Sequence, residues 1–170
     1  TTYYDKRDNA IDPKEGYFLS FGNDVAGLGG DEKYLKFDAK AYRYDTFFDY
    51  YTLKLFINGG YVTGYNHENV RLAQRYFLGG STMRGFDSSG IGARDRYTKD
   101  ALGGNWMLYS GAEVSFPIGL DEVGIKGRTF VDAGSKRNFG RNIGKIFNLA
   151  AINFQHAVAN LNTGFGSGTA

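Results

Sequence analysis

The chain contains no cysteine and only two prolines in 170 residues. Without thiols there is no disulfide framework, no thiolate metal site and no cysteine nucleophile, and redox chemistry does not reveal the compartment. Charge of one sign is missing too. Twenty Lys and Arg stand against eighteen Asp and Glu, a net of +2, so the one-sided balance that nucleic acid calls for is absent. No run approaches the roughly 20 apolar residues a membrane helix needs, which excludes a helical membrane protein. No signal-like segment opens the chain at Thr1; if the protein is exported, its targeting segment is expected upstream. His67 and His156 are too few and too isolated for a metal site, so neither metal nor cofactor is expected.

What the chain has in quantity is 25 Gly, 13 Tyr and 14 Phe, a bias toward tight turns and aromatic strands. The length suits one domain with a sizeable core. Alternation of period two recurs along it. Tyr17, Leu19 and Phe21 alternate with Phe18, Ser20 and Gly22, and a Gly-rich turn follows. Leu35, Phe37, Ala39 and Ala41 then oppose Tyr34, Lys36, Asp38, Lys40, Tyr42 and Tyr44. A turn at Thr46 to Asp49 leads to Tyr51, Leu53, Leu55 and Ile57 on one face, with Thr52, Lys54, Phe56 and Asn58 on the other. Trp106 to Ile118 and Ile125 to Ala133 repeat the pattern, with Glu113 and Asp132 on the polar face beside Tyr109 and Arg128.

The fold class expected is all-β, an antiparallel meander of about six strands in residues 1–135, with a tail at 136–170 whose periodicity assigns no structure. Runs of about ten residues, apolar on one face and aromatic at the ends, match what a bilayer imposes on a transmembrane β-barrel; globular strands average about five or six. Mean hydropathy of −0.40 is no objection, because barrel strands spend only alternate residues on lipid. The other reading of the apolar face is a second protein sheet, as in a sandwich or a lipocalin-like barrel.

Between the strand ending near Tyr61 and the one beginning near Gly104 lies a loop, about residues 63–103, far longer than an ordinary connection. Its centre runs Tyr76, Phe77, Leu78, Gly79, Gly80, Ser81, Thr82, Met83, Arg84, Gly85 and Phe86, a mix of aromatics and glycines suited to close packing. Gly80 to Gly85 has the spacing of a phosphate loop, but Phe86 stands where that motif needs Lys.

Phe77-Leu78-Gly79-Gly80 followed by Met83-Arg84-Gly85-Phe86 resembles the sixth extracellular loop of the BamA superfamily, which includes outer-membrane assembly factors and two-partner secretion transporters. Asp5, Arg7, Asp8, Asn9, Pro13 and Gly16 resemble an earlier strand and turn of that family. Glu113 and Asp132 fall where its two later strands carry acids. The resemblance implies that the loop folds back into the barrel lumen and that Arg84 pairs with Glu113 and Asp132. A guanidinium is the side chain able to hold two carboxylates in planar, charge-assisted geometry. If the hairpin is symmetric about residues 120 and 121, Glu113 faces Arg128 and Asp132 faces Tyr109. The acids would then lie about 13 Å apart along the strands at roughly 3.3 Å per residue, within reach of one guanidinium only for one of them. The other reading pairs Glu113 with Arg128 and leaves Arg84 in water.

By the same resemblance the parent protein is expected in the outer membrane, helping other barrel proteins fold and insert. Its partners would be membrane lipid, unfolded barrel-protein substrates and the accessory lipoproteins of an assembly complex. A polypeptide secretion transporter and a passive porin or surface antigen are the alternatives. No enzyme activity is expected. Six strands are too few to close a membrane barrel, whose minimum is about eight, so a fragment, a truncated product or an oligomer-dependent piece is expected. The family's last strands and aromatic terminus do not show in the tail.

Overall fold

A computed structural model of the chain describes residues 1–27, 33–65, 69–118, 126–137 and 148–153. Among the described residues seven strands follow one another: β1 Thr2–Asp5, β2 Gly16–Ala26, β3 Tyr34–Phe47, β4 Tyr51–Gly64, β5 Trp106–Pro117, β6 Lys126–Arg137 and β7 Asn148–Asn153. Each pairs antiparallel with the next, giving one sheet in sequence order with β1 and β7 at its edges. β7 lies in the tail for which periodicity had assigned no structure. His67, His156 and most of that tail lie outside the described residues.

The β3–β4 hairpin is tighter than its sequence implied. Thr46 pairs with Thr52 and Phe47 with Tyr51, so the turn is confined to 48–50. A cross-strand pair of threonine hydroxyls 3.4 Å apart extends the ladder, and Phe48 and Asp49 make the reversal in the left-handed region at φ 52° and 59°.

Register places every second side chain on a common face, and the two faces are inverted relative to a water-soluble protein. Leu19, Phe21, Leu55, Ile57 and Val131 are exposed, while Asn58, Glu113 and Asp132 are buried. Among the described residues no second sheet covers the apolar face, which removes the sandwich reading there. Tyr51 and Phe116 rings lie 6.4 Å apart at the short-turn end, and Tyr61 pairs with Trp106 at the long-loop end. About ten residues separate these levels on β4. That is ~33 Å along a strand at roughly 3.3 Å per residue, or ~25 Å of height at the tilt of barrel strands, the height of a lipid-facing band.

The inner face is less polar than alternation alone implies. A row of rings crosses it from β1 to β5: Tyr3 to Phe18 at 6.4 Å, Phe18 to Tyr42 at 5.8 Å, Tyr42 to Phe56 at 6.3 Å and Phe56 to Tyr109 at 6.2 Å. Such pairs add cross-strand stability beyond the backbone ladder.

Candidate functional site

Residues 69–105 of the connection form a folded body. Isolated bridges join Tyr76 to Gly104, Leu78 to Ile91 and Arg94 to Ala101, so the chain doubles back on itself in short hairpins. Leu78, Met83 and Ile91 form a buried cluster, against which Phe86, Met107 and Tyr109 pack. A second cluster of Val62, Val70 and Tyr76 ties the stem to β4. The loop thus supplies the apolar core that the sheet's inner face lacks.

Its tip is closed by Gly80 N–H donating to the Phe86 carbonyl at 2.9 Å and by Thr82, whose hydroxyl accepts from Gly79 N–H at 3.0 Å. Gly79 sits at φ 129°, and a Cβ there would lie 2.1 Å from the Asp87 carbonyl. No other residue type fits. Gly85 also has positive φ, at 87°, and turns the chain immediately after Arg84.

Arg84 projects from this tip to the wall. Its Nε donates to Asp132 Oδ2 at 2.9 Å and Nη2 to Asp132 Oδ1 at 2.8 Å, a two-point fork. The backbone N–H of the same residue adds a bond to Oδ2 at 3.3 Å. Nη1 donates to Glu113 Oε2, and the guanidinium carbon stands 3.5 Å from the centre of the Phe130 ring. One residue therefore clamps two adjacent strands and stacks on a third side chain between them.

Both acids are reached because the hairpin register differs by two residues from the symmetric estimate. Glu113 faces Phe130 and Asp132 faces Gly111, so the acids are diagonal neighbours. An even shift leaves every side chain on its original face. Gly111 accounts for the alignment, since a Cβ there would meet the Asp132 carboxylate at 2.5 Å. Glu113 also has Arg128 Nε at 3.8 Å from Oε1, so it lies between two cations. Toward the short-turn end the inner face opens into a cavity of about 390 Å³ lined by Tyr44, Lys54, Glu113 and Arg128 together with Ile11 to Lys14.

Sequence reasoning missed the second anchor. The Tyr76 hydroxyl donates to Asp38 Oδ1 at 2.9 Å, with the Phe37 carbonyl 3.0 Å away sharing the same proton, and Lys36 Nζ lies 4.8 Å from the ring centre. Gly60 gives the ring its seat, because a Cβ there would be 2.5 Å from it. Burial, and then the Asp38 carboxylate it donates to, push the phenol's pKa well above its usual value, so the donor proton is retained. The available signal was a glycine pair, Gly59 and Gly60, inside a strand, which marks close approach of another group.

The Omp85 superfamily domain model matches residues 1–168. An outer membrane protein assembly factor BamA from Neorickettsia risticii is 39% identical over 152 residues, which are 88% of this chain and 20% of that protein. A SAM50-like protein from Schizosaccharomyces pombe is 29% identical over 120 residues, 67% of this chain and 25% of that one. The crystal structure of BamA from Haemophilus ducreyi lacking POTRA domains 1–3 superposes with a TM-score of 0.73 at 21% identity, covering 80% of this chain and 29% of that one. At that identity the likeness shows the fold. The chain spans about a fifth to a quarter of the length of these curated relatives.

Proposed function

The chain belongs to the Omp85 superfamily, and from that premise we propose that it is the loop-bearing wall of an outer-membrane barrel that folds and inserts other barrel proteins. The observation that carries this reading is the Arg84 clamp, which couples the loop to β5 and β6 through Asp132 and Glu113. The BamA relatives are outer membrane protein assembly factors, which favours assembly over secretion and over a passive pore. No bond chemistry is proposed.

In mechanism the loop acts as an internal strut. An assembly barrel must remain folded while part of its wall opens toward lipid, and docking the loop against two neighbouring strands holds that stretch rigid while strands elsewhere move. Unfolded barrel proteins would be the substrates, and accessory lipoproteins of an assembly complex the partners.

The test is Arg84→Ala in the full-length protein. Loop cleavage by added protease should rise and the rate of barrel insertion into vesicles should fall about tenfold or more, as expected when a buried pair loses one member. Unchanged protease resistance together with unchanged insertion would falsify the reading.

A further inference from the structure

Residues 6–15 join β1 to β2 at the short-turn end, and they fold inward across the wall as a strap. Its near end is fixed by several hydrogen bonds. Lys6 N–H donates to the Tyr17 carbonyl at 2.9 Å and Asp8 N–H to the Glu15 carbonyl at 3.1 Å, which prolongs the β1–β2 ladder. The Asp8 carboxylate accepts from the N–H groups of Lys14 and Glu15 at 2.9 and 3.2 Å, and Asn9 Oδ1 accepts from Ile11 N–H at 2.8 Å. The Thr46 hydroxyl of β3 donates to the Lys14 carbonyl at 2.8 Å. Side-chain bonds of this kind hold a loop in one local shape.

The far end is held differently. Asp12 pairs with Lys126 on β6, although β3, β4 and β5 stand between β2 and β6 in the sheet. The strap therefore passes in front of those strands. The two side chains are 57% and 44% exposed, and an exposed ion pair is weak and screened by salt. Beneath the strap lies the inner-face cavity of about 390 Å³, with Ile11, Asp12 and Lys14 on one side and Glu113, Ser115 and Arg128 on the wall. Glu113 is one of the two acids held by Arg84, so the cavity borders the clamp on its short-turn side.

We propose that residues 9–14 are a hinged lid over the short-turn mouth of this cavity, latched by Asp12 and Lys126, whose opening exposes the Glu113 side of the clamp to the periplasm. The hinge lies at Asp8 and Glu15, where the backbone pairing ends. A firmly bonded near end and a weak far end make the latch the part that yields first. Lys126 and Arg128 share the inner face of β6, and Arg128 Nε stands 3.8 Å from Glu113 Oε1, so latch and clamp meet the same strand. The lid rests on the reading of this wall as part of a membrane barrel, whose short turns face the periplasm.

Full-length protein freed of other thiols would carry Ser115→Cys, a probe on the cavity wall in a chain with no cysteine of its own. Inserted into vesicles with its short turns outward, it would be labelled by a membrane-impermeant maleimide, and the rate of labelling read. With the latch intact the rate should be slow at low salt and rise about fivefold at high salt. Asp12→Lys and Lys126→Asp should each raise the low-salt rate about fivefold or more. The two together should restore the slow rate, a readout that stands even if one single variant folds poorly. A rate indifferent to salt and to both single variants overturns the lid, as does an exchanged pair labelled as fast as the singles. Labelling does not depend on assembly, so protein that follows this pattern yet inserts no barrel proteins overturns the assembly reading and leaves the lid. Failure of the parent protein to enter vesicles overturns the membrane reading and the lid together.

Discussion

At the scale of single residues the Arg84 fork is a three-body arrangement whose stability lies in balance. Asp132 and Glu113 are nearly fully buried, and the guanidinium that serves both retains partial contact with solvent. Removing the cation leaves two carboxylates facing each other across a diagonal, whereas removing all three charges leaves none uncompensated. Arg84→Met should therefore lower barrel stability by about 3 kcal/mol in urea unfolding, and adding Glu113→Gln with Asp132→Asn should restore more than half of it. A triple variant no more stable than Arg84→Met would show that the charges are not what couples loop to wall. Arg84→Lys belongs to the same series and should behave as a partial loss, since an ammonium cannot span both acids in planar geometry.

At the scale of elements, the loop is held at two places, its tip by Arg84 and its stem by Tyr76. The stem depends on the absence of a side chain at Gly60, where a methyl group would meet the Tyr76 ring at 2.5 Å. Gly60→Ala should expel the ring and speed hydrogen exchange of loop amides near Val70 and Gly104, with the amides of β2 and β3 little changed. Tyr76→Phe keeps the packing and loses only the hydroxyl's bonds to Asp38 and Phe37, an effect of about 1 kcal/mol. If Gly60→Ala left the loop's exchange untouched, the stem would be secured by its backbone bridges alone.

At the scale of the whole molecule the sheet is a wall with an exposed apolar side and a loop-facing side, not a domain built around its own centre. Its buried apolar residues Leu78, Met83, Val62 and Ile91 lie in or against the loop, and exposed Leu19, Phe21, Leu55, Ile57 and Val131 make up the outer belt. A charge on that belt should cost far more than one on the inner face. Ile57→Arg should destabilise the inserted full-length barrel by about 2–4 kcal/mol, while Ser115→Lys, beside the cavity at the inner face, should stay within about 1 kcal/mol. Equal costs for the two, measured by refolding into vesicles, would mean that the outer face does not meet hydrocarbon.

Period-two alternation made the strands and their faces readable, because burial on one side leaves a mark at every second residue. Leu55 and Ile57 showed as one face and Glu113 as the other for this reason. The tip motif around Arg84 was legible through its glycines, which record backbone conformations that few residues adopt. Register was not legible. It depends on which glycine receives which side chain, and Gly111 admitting Asp132 is a contact between residues far apart in the chain. The Tyr76 anchor escaped for the same reason, its acid and its glycine seat lying on two different strands.

The sequence by itself therefore determined the class of fold, the inner and outer faces and the residues able to form the clamp, since these follow from local periodicity and side-chain chemistry. Only the tertiary structure decided that Arg84 reaches both acids and that Tyr76 locks the stem. Those outcomes depend on how separate strands are set against one another to within one residue pair, and no local pattern encodes that distance.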